Sequence, residues 1–83
     1  MTSTGLPMVY EVDLTVGVED ALDGLPEDGR REVLEVIAGV LVRPGGWPPA
    51  GGWDGAVWFG PRSWVAFTAF TGGIAVHDFG WMG

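Results

Sequence analysis

The sequence predicts one small α+β domain: an antiparallel sheet of about four strands with one short and one long helix packed on it, in the order β-α-α-β-β-β. Three observations predict it. Residues 8–16 alternate polar and apolar side chains with a period of two. Residues 26–43 repeat apolar side chains at three and four. Residues 56–81 are rich in β-branched and aromatic side chains, interrupted by Gly60-Pro61 and Gly72-Gly73. At 83 residues the chain buries about 60% of its extended surface on folding, enough for one core.

Residues 1–7 read as a lead-in. In the first strand Val9, Glu11 and Asp13 alternate with Tyr10, Val12, Leu14 and Val16, so one face is polar. Gly17 ends it. Residues 18–25 fit a short helix: Val18, Leu22 and Leu25 lie one turn apart, with Glu19 and Asp20 at the positive end. Pro26 suits a first helical position. Glu27 and Asp28 favour the start of the long helix, whose stripe is Val33, Leu34, Ile37, Ala38, Val40 and Leu41. Glu32 and Glu35 mark its wet side, and Arg31 reaches Glu35 one turn on. Arg43 falls in the last turn, and Pro44-Gly45-Gly46 stops the helix. Residues 44–55, with Trp47-Pro48-Pro49 and Gly51-Gly52-Trp53, form a connector expected to hold no regular element.

The remaining strands are residues 56–59, 64–71 and 74–81, joined by the turn Gly60-Pro61-Arg62-Ser63 and by a two-residue loop at Gly72-Gly73. That loop sets Thr71 opposite Ile74, Ala69 opposite Val76 and Phe67 opposite Asp78. One face then carries Trp64, Ala66, Thr68, Phe70, Ala75, His77, Phe79 and Trp81, joined by Val57 and Phe59. The other carries Val65, Phe67, Ala69, Ile74 and Val76 with Ala56 and Trp58. Both faces are apolar, whereas antiparallel sheets usually keep one wet. The long helix covers one. The other needs the short helix, the connector or a second molecule, and a large exposed apolar patch marks a binding surface.

Composition excludes several functions. Four arginines, no lysine and eleven carboxylates give a formal charge of −7. Arg30, Arg31, Arg43 and Arg62 are scattered among acids, so neither nucleic acid nor an anionic membrane is an expected partner. There is no cysteine, which excludes disulfides and thiol chemistry. No apolar run spans a bilayer, and no basic, apolar leader opens the chain, so the expected location is cytoplasmic. No cofactor is implied. His77 and the scattered carboxylates match no metal-ligand spacing. Asp78, next to His77 in a strand, points to the opposite face and does not orient the imidazole; Thr68 is the expected neighbour of His77. No catalytic residue is assigned.

Three segments carry a resemblance. Leu25-Pro26 precedes a helix with paired arginines, Arg30-Arg31, that ends at Arg43-Pro44. Gly60-Pro61-Arg62-Ser63-Trp64-Val65-Ala66-Phe67 runs glycine, arginine, hydrophobic strand. Ile74-Ala75-Val76-His77-Asp78-Phe79-Gly80-Trp81 closes the chain. With the element order, residues 8–81 resemble the RelE/ParE superfamily of bacterial toxin–antitoxin pairs. The family's strand arginine aligns with Trp64, its tyrosine with Phe67 and its closing arginine with Trp81, leaving Arg62 as the nearby cation. Cleaving RNA needs cations for phosphate and a proton donor for the leaving oxygen, which tryptophan and phenylalanine do not supply.

The resemblance therefore implies a toxin-type protein that works by binding a protein, an antitoxin-like segment that is neutral or basic. The alternative is a small homo-oligomer whose aromatic sheet face pairs with itself or holds an apolar small molecule. A ribosome-dependent mRNA endonuclease ranks last. The expected binding residues are Arg62, Trp64, Phe67, His77, Trp81 and Trp53, with Trp64 and Trp81 forming an aromatic clamp across the hairpin and Arg62 stacked beside them.

Overall fold

The computed structural model describes residues 10–51 and 55–83. Strand β1 is Glu11–Leu14, helix α1 is Val16–Asp23, helix α2 is Glu27–Leu41, and strands β2, β3 and β4 are Ala56–Phe59, Ser63–Phe70 and Gly73–Trp81. The α+β class and the β-α-α-β-β-β order are those expected. The sheet order is β1-β4-β3-β2. The sheet is mixed, not wholly antiparallel: β1 runs parallel to β4, with Glu11 opposite Gly73 and Leu14 opposite Val76. The two helices supply the crossover that lets β1 return alongside a parallel neighbour.

Thr15 caps α1, its hydroxyl accepting from the Val18 N–H at 3.1 Å. That starts the helix two residues before the expected position. Pro26 stands at the cap of α2 with extended ψ, not inside the helix. The helix ends at Leu41, so Arg43 lies beyond its last turn. Arg31 turns back to Glu27 at 3.9 Å instead of forward to Glu35. The connector is not devoid of regular structure, since Pro44–Gly46 forms a 3₁₀ turn.

Both helices pack on the same sheet face. Val18 and Leu22 of α1 and Val33, Val36, Ile37 and Val40 of α2 share one buried cluster with Val65, Phe67, Ile74 and Val76. The connector joins this side too. Trp47 packs against the cluster, donates its indole N–H to the Val40 carbonyl at 2.7 Å, and meets Tyr10 edge-on at 4.9 Å. Neither the short helix nor Trp47 therefore covers the opposite face.

The β3–β4 hairpin corrects the expected register. Phe70 faces Gly73 and Ala69 faces Ile74, with the turn at Thr71 and Gly72, whose φ is +100°. The ladder then slips: Phe67 faces Val76 but Ala66 faces Asp78, so His77 is an extra residue in β4. Unbroken alternation would carry Asp78 inward beside Val65 and throw Phe79 and Trp81 outward. Burying an unpaired carboxylate is costly. With the bulge, His77 and Asp78 are both exposed, and Phe79 and Trp81 pack against the core.

Candidate functional site

The sheet face turned away from the helices carries Val57 and Phe59 of β2, Trp64, Ala66, Thr68 and Phe70 of β3, and Ala75 and Asp78 of β4. These follow from the pairs Val57–Ala66, Phe59–Trp64 and Ala66–Asp78. Phe59 is 73% exposed and Val57 52%. No described helix packs over this face. At its β2 end, Phe59, Trp64 and Met82 line a shallow hollow of 240 Å³ with the 60–63 turn. At its β1 end, Glu11, Asp13 and Asp78 are exposed. The face thus grades from aromatic to acidic across the sheet.

The expected binding residues do not form one site. Trp64 stands on the open face, its indole lying over Gly80, where a Cβ would collide with it. Trp81 lies on the helix face, its ring against Gly29 of α2. The Trp64–Trp81 clamp is therefore absent: the bulge at His77 reverses the facing of everything after it. Phe67 is 1% exposed and belongs to the core, so it touches no partner. Trp53 lies outside the described residues, as does Asp54. His77 is exposed on the bulge, and its Nε2 shares a 2.8 Å hydrogen bond with Thr68 Oγ1. The neighbouring Asp78 carboxylate accepts from the Phe79 N–H at 2.9 Å.

Arg62 and Trp81 do meet. The guanidinium carbon lies 5.8 Å from the indole centroid, a cation–π contact. What joins them is Glu32, which the helical pattern assigned to the wet side. Its side chain is only 14% exposed. It accepts from the Arg62 main-chain N–H at 2.8 Å and lies 3.7 Å from Arg62 Nε. The buried Ser63 hydroxyl and Trp81 indole N–H have no hydrogen-bond partner of good geometry, yet both lie close enough to favour the charged form of this carboxylate. The Ser63 hydroxyl first, then the Arg62 N–H, outweigh desolvation and hold the Glu32 carboxyl below its usual range, with smaller help from Trp81 and the Arg62 charge. This network ties α2 to the β2–β3 turn. It leaves Arg62 occupied with the fold.

Phe59, Val57 and Met82 are the surface residues that site reasoning passed over. Val57 and Phe59 were legible as neighbours of Trp64 from the pairing across the 60–63 turn; their exposure was not. Among the described residues no group of three or more His, Asp or Glu side chains is placed to hold a metal ion, and no helix is long and apolar enough to cross a membrane. No family model matches the chain, and neither a curated protein nor a solved structure matches it.

Proposed function

We propose that this chain is a protein-binding relative of the RelE/ParE toxins, one that captures a partner segment on its open sheet face and does not cut RNA. The observation that carries the reading is that face: exposed Val57, Phe59 and Met82 beside the half-buried Trp64, with no described helix over them. Contiguous apolar surface of this kind marks an interaction site. The family assignment is supported by the Arg30-Arg31 helix, the Gly60–Phe67 wording and the element order.

The grading of the face specifies the partner. Apolar side chains fit over Phe59, Trp64 and Met82, and lysine or arginine further along fits Glu11, Asp13 and Asp78. The 240 Å³ hollow is smaller than the roughly 300–1,000 Å³ of small-molecule sites, which favours a polypeptide. RNA cleavage finds little support on this face: its described basic side chains are His77 and, at the rim of the hollow, Arg62, whose guanidinium is already engaged by Glu32 and Trp81.

Induced expression in a bacterial host tests the reading, with the product of the adjoining gene as the candidate partner. Growth should arrest, the partner should relieve it, and cellular mRNA should stay intact. By titration calorimetry, Trp64→Ala and Phe59→Ala should each weaken binding about tenfold or more, and added salt should weaken it further. Unimpeded growth without complex formation, or full affinity in both variants, overturns the proposal.

A further inference from the structure

The β2 edge of the sheet holds information that the open face does not. β2 is the last strand in the order β1-β4-β3-β2, and its sequence is Ala56-Val57-Trp58-Phe59. Exposed edges are usually blunted by charge, proline or a bulge. β2 has none of these, and it pairs with β3 in unbroken register. Its main-chain directions follow from the adjoining turn. The Gly60 N–H donates to the Ser63 carbonyl at 2.8 Å, so Gly60 and Ser63 form a hydrogen-bonded pair. Antiparallel ladders alternate such pairs with open ones. Ala56 and Trp58 therefore bond inward to β3, and the N–H and C=O groups of Val57 and Phe59 point out of the sheet.

We infer that this edge pairs with the same edge of a second copy, joining two sheets into one of eight strands. The two-fold register that satisfies the outward groups sets Val57 against Phe59 of the second copy, with Trp58 on the axis. Each Val57–Phe59 pair is an aromatic opposite a β-branched residue, a favourable cross-strand combination. It also brings together side chains that are 52% and 73% exposed in the single chain.

Charge at the edge itself permits this occupant. Residues 55–77 contain Arg62, His77 and no carboxylate, so the joining strands are neutral. Glu11 and Asp13 lie on β1 at the far edge, three strand spacings or about 14 Å away, beyond a Debye length of about 8 Å. Asp28, Glu32 and Glu35 with Arg31 of α2 line the 360 Å³ cleft on the helix side of Trp58, a net negative surface. Two chains of −7 still repel, so added salt strengthens this association. The proposed partner complex has the opposite salt dependence, and neither inference rests on the other.

Sedimentation equilibrium from about 1 μM to about 1 mM, at low and high salt, tests it. The expected result is a monomer–dimer equilibrium that shifts toward dimer with salt. Val57→Pro removes an outward N–H that β3 does not use and should give a monomer with unchanged circular dichroism; Val57→Lys should do the same by charge. Slowed amide exchange at Val57 and Phe59 in the concentrated sample should accompany dimerisation. A chain that stays monomeric throughout, a dimer that survives in both folded variants, or unprotected Val57 and Phe59 amides in the dimer overturns the inference.

Discussion

Two glycines of α2 make opposite demands on their surroundings. At Gly29 a Cβ would stand 2.7 Å from the Trp81 ring; at Gly39 it would meet nothing within 4 Å. Alanine improves helix propensity by up to about 1 kcal/mol at either position. Gly39→Ala should therefore raise the melting temperature by several degrees. Gly29→Ala should lower stability by about 1–3 kcal/mol, as overpacking outweighs the propensity gain; thermal unfolding of the pair checks both signs. Glu32 makes a prediction in pH. Its folded pKa lies below the unfolded value, so its contribution is fully present above about pH 4.3 and is lost as the pH falls through the folded pKa. Urea titrations should show Glu32→Gln less stable than the parent at neutral pH, with the gap closing as acid is added.

At the scale of an element, the bulge in β4 decides which tryptophan serves which purpose. Trp64, before the turn to β4, remains on the open face; Trp81, after the extra residue, is drawn against α2. Trp81→Ala should cost about 3–5 kcal/mol, in the range of buried aromatic truncations, whereas Trp64→Ala should cost much less and act on binding. Deleting His77 should be tolerated. Deletion removes the extra residue and joins Val76 directly to Asp78, so the ladder becomes regular with Asp78 still outward and Phe79 and Trp81 still inward, and cooperative unfolding should be kept. His77→Ala keeps the extra residue and forfeits one exposed hydrogen bond to Thr68, which should cost well under about 1.5 kcal/mol. Denaturation monitored by tryptophan fluorescence checks both, and loss of the cooperative transition on deletion would show that the bulge itself is required.

Over the whole molecule, charge and apolarity are segregated. The helices and β1 carry most of the carboxylates, while residues 55–77 carry none. Self-repulsion among the acids destabilises the compact state at low ionic strength, and the exposed Arg31–Glu27 pair does little to offset it. The melting temperature should therefore rise between about 10 and 200 mM salt, where screening lengths fall from about 30 Å toward 7 Å. A midpoint that falls with salt would mean that attractive pairs dominate instead.

The parts of this protein that were legible in its sequence are those governed by local rules. The element order, the polar face of β1 with Glu11 and Asp13 and the Val57–Phe59–Trp64 face follow from periodicity and from turn chemistry at Gly60-Pro61; of the expected α2 stripe Val33, Ile37 and Val40 are buried, but Leu34 and Ala38 are exposed and Val36, outside the stripe, takes a core place. The adjacent polar residues His77 and Asp78 between two alternating apolar runs were the available sign of a bulge, but a regular period carries no term for an inserted residue. Whether Trp81 and Phe67 faced solvent or core, and whether Glu32 was wet or bound, depended on contacts between residues distant in the chain. Those contacts exist only once α2, the β2–β3 turn and β4 are packed together, because the cost of burying a carboxylate is settled by what it meets there and not by its neighbours in sequence.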